Sequence, residues 1–351
     1  MAHKRKIGVV AFGGNQIAPV GTGKNPNIPL QFKQTLVTAN ILTKIFKRYS
    51  DYSWIITHGN GPQVGNRLLR SQVAASTGKV FPVPLVMCGA DTQGGIAYMI
   101  QQSLGRSFKE KGIKKMISGI VTQVVVDRND TAFKNPTKYV GPAYTPQEIE
   151  RDYKVIKFSK KGPLGKPEYW VTYEDGQEGI FRLYRGRIFR RVVPSPEPID
   201  IVELQAVIAL IEAGIIPITV GGGGIPVIKS KGGYRGVEAV IDKDLASALL
   251  VKLLLRHYKK IGAASVDLVI LTNIDTVCLH FEQPHQEKLS RLNIKEAKKY
   301  LKEGHFFPGS MGPKIQAGIN TLRAGARRVI ITNPEYLSLA LKEKAGTIMK
   351  R

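Results

Sequence analysis

Three lysines in this sequence stand where a bound anion would suit the chain. Lys243 and its neighbour Asp244 follow Asp242 within residues 236–249. Val237, Ala239 and Ile241 alternate ahead of Asp242 like the end of a buried strand, and Leu245, Ala248, Leu249 and Lys252 follow at helical spacing. Asp242 is therefore expected to cap a helix. Lys243 and Asp244 then fall in its first turn, where backbone N–H groups lack partners and the helix dipole favours negative charge. A lysine there weakens the helix unless an external anion comes to it. Taken alone, the stretch fits an anion site and a chance surface lysine equally well. Lys138 and Lys314 also stand beside turns, in Pro136-Thr-Lys138 and Gly312-Pro-Lys314.

Glycines form the second group. Gly13-Gly14-Asn15 follows the apolar run 6–12, and His58-Gly59-Asn60-Gly61-Pro62 follows the run 54–57, with Pro62 suited to the first helical position. Glycine pairs after strands let the backbone turn tightly and present its N–H groups to an anion. Two such loops in the first 65 residues predict a parallel sheet that binds phosphate-sized groups above its strand ends. His58 fits a catalytic role and a structural hydrogen-bonding role alike. Gly221-Gly222-Gly223-Gly224 follows the run 215–220. Four glycines are costly in chain entropy and call for a ligand or for very close backbone packing. This loop is expected to touch ligand.

The elements that must hold these residues read as follows. Strands are predicted at 6–12, 54–57, 117–126, 215–220, 267–271 and 328–332, and helices at 30–49, 90–105 with Asp91 as cap, 199–213, 242–258 and from 314 to about 322. Residues 18–30 read as a Gly/Pro/Asn-rich loop. The alternating order argues for an α/β fold with an open, mainly parallel sheet and helices on both faces. Residues 127–198 break the pattern. They are expected to form an inserted lobe, about 128–191, within a single domain spanning 1–351. It contains a hairpin, 169–173 with 180–184, turning at Glu174-Asp175-Gly176. That hairpin is expected at the lobe's outer edge, and the lobe, joined only at its two ends, to hinge as a unit.

A formal net charge of +25 on 351 residues suits either nucleic acid or an anionic substrate. From Arg151 to Arg191 there are eleven Lys/Arg against five Asp/Glu, but basic residues are scattered, with no basic tail, Arg-Gly repeat or helix-turn-helix signature. Nucleic acid is not the expected partner. Cys88 and Cys278 make neither a disulfide framework nor a zinc site, no apolar run reaches a membrane span, and a cytoplasmic location is expected.

The chain lacks the P-loop signature, the His-Arg-Asp and Asp-Phe-Gly protein-kinase motifs and Gly-x-Ser-x-Gly, and Gly13-Gly14-Asn15-Gln16 completes no dinucleotide fingerprint. Phosphoryl transfer between small molecules remains, a chemistry of positioning, cations and backbone donors. Here the residues resemble a family. Gly13-Gly-Asn15, 58–66, 122–127, 132–138, Val192-Val-Pro-Ser-Pro196, 221–226, 236–244, Gly304-His-Phe and Gly309-Ser-Met-Gly-Pro-Lys314 are similar, in order, to the motifs of carbamate kinases of the amino-acid kinase superfamily.

The resemblance implies the reaction ATP + carbamate ⇌ ADP + carbamoyl phosphate with Mg²⁺, an α/β/α sandwich with a protruding subdomain beside the active site, and a homodimer. In many members the cellular direction is ATP formation at the end of arginine fermentation. By the same resemblance Lys138, Lys243 and Lys314 contact phosphate, Asp244 organises the lysines, and Gly13, Gly14, Asn15, Gly59 and Asn60 hold carbamate and the transferred phosphoryl. Asp242, Lys243, Thr272, Asp275, Met311 and Lys314 are expected to line the nucleotide, and Gly221, Gly222 and Gly223 the substrate. The metal is expected on the nucleotide phosphates, not on side chains. Ala11-Phe12 stand where several sister kinases carry a lysine, which favours carbamate over an acylated amino acid. Three departures stand out: Phe12 for a more usual Leu, Phe189 where Trp is common, and unmatched sequence at about 160–187. The runners-up are another small-acid kinase and a basic nucleic-acid-binding protein on the same fold.

Overall fold

Strand Arg5–Phe12 is wholly apolar along its inner stretch and lies at the middle of an eight-stranded sheet. The computed structural model describes residues 5–18, 27–162, 165–173, 176, 178–259, 264–307 and 309–351. Strand Arg5–Phe12 pairs in parallel with Ala264–Leu271 on one side and Tyr52–His58 on the other. Beyond Tyr52–His58 come Ile216–Ile218 and then Ile117–Gly119, both parallel. Beyond Ala264–Leu271 come Arg328–Thr332, parallel, and Thr347–Lys350, antiparallel.

Both faces of this sheet are buried, which is why its strands are near-continuously apolar. Ile7, Val9, Ile55, Leu268 and Ile270 pack with helices Lys243–Lys259 and Met311–Ala324; Val10, Phe12, Ile56, Val269 and Leu271 pack with Ile28–Arg48 and Leu85–Glu110. The result is a three-layer α/β/α arrangement. The chain leaves Arg5–Phe12 for Tyr52–His58 on one side and returns later to Ala264–Leu271 on the other. The loops after the first and last of these strands therefore flank a point where strand order reverses, the place where ligands bind in open α/β sheets.

Residues 138–193 contain a separate antiparallel sheet in the order Lys138–Tyr144, Ile188–Val193, Glu178–Arg185, Glu168–Thr172, Lys154–Ser159. Helix Pro146–Asp152, closed by a Thr145/Glu148 capping box, covers it through Ile149. The hairpin forms, but not at the outer edge: Lys154–Ser159 takes that position. Tyr169, Val171, Tyr173 and Phe181 of the hairpin make this sheet's own apolar core, together with Phe189. Phe189 packs edge-on to Tyr169 at 5.1 Å, so an aromatic ring suits that site. The buried Arg182 guanidinium pairs with Glu168 at 2.9 Å and donates to the Pro136 carbonyl at 2.5 Å. The hairpin thus grips the segment that leads into Lys138.

Other expectations are corrected. The run 117–126 is two strands in different sheets, Ile117–Gly119 and Gln123–Val126. The helix expected from Asp91 begins at Leu85, and Asp91 lies in its second turn, bonded to Arg67 at 2.9 Å. The helix expected over 199–213 is shorter, Leu204–Glu212, behind a strand Pro198–Ile201. Residues 1–4, 19–26 of the expected loop, and Glu174 and Asp175 of the expected turn lie outside the described residues.

Candidate active site

Helix Lys243–Lys259 starts where expected. Asp242 Oδ1 accepts from the Asp244 amide at 2.9 Å and from the Leu245 amide at 3.4 Å, as an N-cap does. Its other oxygen takes the Lys138 ammonium at 2.7 Å. Asp244 is ion-paired on both sides: Oδ1 with Lys243, and Oδ2 with Lys314 at 2.9 Å. The three lysines therefore converge on two adjacent carboxylates from three separate parts of the chain. With every group ionised, this cluster carries an excess positive charge.

Burial sharpens this electrostatic arrangement. Burial pushes the Asp244 carboxyl up, but Lys243 and Lys314 outweigh it and hold the group well below the usual carboxylate range. Burial likewise acts upward on Asp242, and Lys138 outweighs it. Burial first, and then the Lys314 charge, holds the Lys243 ammonium below the usual lysine range, although Asp244 opposes both. For Lys314 burial acts downward too, but Asp244 overcomes it and the net direction is up. Neither aspartate is a general base waiting for a proton; each is an anion that fixes ammonium groups.

The glycine loops meet this cluster through contacts that leave no room for side chains. A Cβ on Gly59 would lie 3.0 Å from Lys243 Cδ. On Gly222 it would lie 2.5 Å from Asn60 Nδ2, and on Gly223 it would strike the carbonyl of Ile241, next to Asp242. On Gly221 it would collide with the His58 ring and lie 2.8 Å from Gln93 Cγ. Gly222, Gly223 and Gly224 also adopt positive φ of 65°, 92° and 88°, a region glycine enters without strain. Close packing thus explains the four-glycine run by itself. Val220 just before it has φ 52°, unusual for a β-branched residue.

The first glycine loop faces the nucleotide-side candidates. A Cβ on Gly13 would lie 2.8 Å from the Leu271 carbonyl, and Gln16 Nε2 donates to Thr272 O at 3.4 Å and Asn273 Oδ1 at 3.3 Å. Gly14 packs against Pro62, with a Cβ 3.6 Å from its Cδ. Asn15 stands in the single turn Gly14–Gln16, and its side chain lies outside the described set. Met311 opens the helix that carries Lys314. Asp275 accepts from Asn333 Nδ2 at 3.1 Å.

His58 is fully buried and its Nδ1 bonds the Gly59 carbonyl at 3.1 Å. Burial pulls its pKa to about 4, so it is neutral near pH 7 and serves as a packing partner of the Gly221 turn. The sequence reading overlooked Gln93 and Thr92. Gln93 bonds the Gly221 carbonyl at 2.8 Å and both backbone groups of Thr122 at 2.8 and 3.2 Å; Thr92 accepts from Asn60 at 3.0 Å. A polar pair on the buried face of an apolar helix was the available signal. Both metal-capable carboxylates of the cluster are engaged by lysines, and among the described residues no group of three or more His, Cys, Asp or Glu side chains stands in metal-holding geometry. No helix among the described residues is long and apolar enough to cross a membrane.

The chain is similar to known proteins over nearly its whole length. The family model described as the amino acid kinase family matches residues 6–333. The carbamate kinase-like protein YahI of Escherichia coli K12 is 42% identical over 344 residues, 98% of each chain. The carbamate kinase of Pyrococcus horikoshii is 40% identical over 339 residues, 97% of each. Among solved structures, the carbamate kinase of Giardia lamblia bound to AMP-PNP is similar with a TM-score of 0.81 and 36% identity, over 100% of this chain and 99% of that one.

Proposed function

This chain belongs to the amino acid kinase family and, within it, to the carbamate kinases, and we propose on that footing that it catalyses ATP + carbamate ⇌ ADP + carbamoyl phosphate. The observation that carries the reading is the convergence of Lys138, Lys243 and Lys314 on Asp242 and Asp244 between glycine loops. In the synthetic direction a carbamate oxygen forms a bond to the γ-phosphorus as the bond to the ADP oxygen breaks. Carbamate is already an anion, so no base removes a proton. The obstacle is repulsion between carbamate and the charged end of ATP. The lysines and the backbone N–H groups of Gly13, Gly14 and Asn60 offset that repulsion, most strongly where charge spreads over the transferring phosphoryl. The Gly59 N–H instead donates to the Phe12 carbonyl at 3.1 Å and ties the two loops together. In the reverse direction an ADP oxygen attacks the phosphorus of carbamoyl phosphate, and carbamate leaves as an anion.

The nucleotide lies along Thr272–Asp275 and the start of helix Met311–Ala324 in this reading, with its phosphates toward Lys243 and Lys314. Magnesium enters with the nucleotide as part of the substrate, held by phosphate oxygens and water. The antiparallel sheet at 138–193 is the protruding subdomain, an inserted part of one domain, and it brings Lys138 to the phosphates. The enzyme works in the cytoplasm as a homodimer, making ATP at the end of arginine fermentation. In ammonium bicarbonate, where carbamate forms spontaneously, protein with MgATP should yield a carbamoyl phosphate resonance by ³¹P NMR. No such resonance, together with phosphorylation of an acylated amino acid, would move the assignment to a sister kinase.

A further inference from the structure

Strand Lys138–Tyr144 does not run evenly along its partner. Its register with Ile188–Val193 shifts between Val140 and Ala143, and Gly141 sits inside that irregularity at φ 72°. Arg190 fixes the bulge by donating to the Gly141 carbonyl from Nε at 3.1 Å and Nη2 at 2.7 Å. On its other side Gly141 is pressed against Gly65 in helix Gly61–Ala75. A Cβ on Gly65 would collide with the Gly141 amide nitrogen and lie 2.5 Å from its Cα. Those are backbone atoms and cannot swing aside. Around this point Val140 and Val193 of the lobe sheet pack with Val64 and Leu68 of the helix and with Val240, two residues before Asp242.

We propose that Gly65 is a positioning residue for Lys138: its missing side chain lets the bulged strand seat against helix Gly61–Ala75, and that seating carries Lys138 to Asp242. The proposal rests on the phosphoryl-transfer reading above. The helix begins directly after Asn60, so one rigid element sets both the Gly59–Asn60 loop and the strand that bears the lysine. Lys138 stands three residues before Gly141 on an extended segment, so a shift at the bulge is transmitted to it. Adding a methyl at Gly65 requires the strand to retreat by roughly 1 Å to regain ordinary contact distance. A displacement of that size at a catalytic group costs roughly 10²-fold in rate.

The test is a double-mutant cycle on ATP formation from MgADP and carbamoyl phosphate, with folding checked by circular dichroism and thermal melting. Gly65→Ala should lower kcat by roughly 10²-fold while leaving KM for ADP unchanged. In a Lys138→Ala background the same change should alter kcat by no more than about twofold, because the group it displaces is gone. A folded Gly65→Ala enzyme with wild-type kcat, or an equal fold-loss in both backgrounds, overturns the positioning role. If Gly65→Ala does not fold, Arg190→Ala takes its place in the cycle: it frees the Gly141 carbonyl without adding bulk, and non-additivity with Lys138→Ala is again the expected result and additivity the contrary one. Wild-type turnover in Lys138→Ala alone removes Lys138 from the phosphoryl-transfer reading and the proposal with it, an outcome separate from an additive cycle.

Discussion

Asp244 and Lys314, 70 residues apart in the chain, meet at 2.9 Å, while the other oxygen of the same carboxylate holds Lys243. One buried anion therefore sets the spacing of two ammonium groups that would otherwise repel. Asp244→Asn keeps the shape and removes the charge. It should lower kcat by roughly 10²-fold through misplaced lysines. It should also destabilise the fold by about 3–5 kcal/mol, because two buried cations lose their partner. Stopped-assay kinetics and urea unfolding read the two effects. Full activity in Asp244→Asn would contradict the organising role.

The His58 imidazole has an ordinary pKa of 6.5 when exposed, and burial lowers it to about 4 in the folded chain. Between those values the unfolded state binds more protons, so stability falls as pH falls. This contribution is intact above the unfolded pKa and lost on passing down through the folded one. It amounts to roughly 3 kcal/mol across the window. In His58→Gln the slope of unfolding free energy against pH between 6.5 and 4 should be shallower than in wild type. Parallel slopes would show that His58 does not titrate as its burial requires.

The +25 charge is expected to serve anionic small molecules and solubility, not nucleic acid. Fluorescence binding to RNA and DNA at about 150 mM salt should show nothing tighter than the non-specific range of ~10⁻⁴–10⁻⁶ M. Nanomolar, sequence-dependent affinity would favour the binding-protein alternative.

The sheet strands and the Asp242 cap were legible because they are local: apolar alternation, an acceptor side chain and helical spacing lie within a few residues of one another. Sheet membership is not local. Residues 117–126 are rich in β-branched residues, yet the chain changes sheet around Thr122, whose backbone is held by Gln93. The start of helix Leu85–Glu110 was hidden for the same reason. Its first amides bond the Glu238 carboxylate at 2.8 and 3.1 Å, a cap supplied from 153 and 152 residues away. Asp91 offered a nearer but mistaken cap. The four-glycine run announced a constraint, and the structure identifies packing against His58, Asn60 and Ile241 as sufficient cause. Pairing Lys138 with Asp242, rather than with Asp244, depends on where a separate sheet is seated and has no trace in local spacing.

The measurement closest to the central claim is ATP formation from MgADP and carbamoyl phosphate, followed in a coupled assay for the wild type and for Lys138→Ala, Lys243→Ala and Lys314→Ala. The account predicts sustained, carbamoyl-phosphate-dependent ATP formation by the wild type and a loss of roughly 10²-fold or more in kcat for each folded variant, comparable to removal of one transition-state donor. A folded wild-type protein that makes no ATP from carbamoyl phosphate, or undiminished turnover in all three variants, would contradict it.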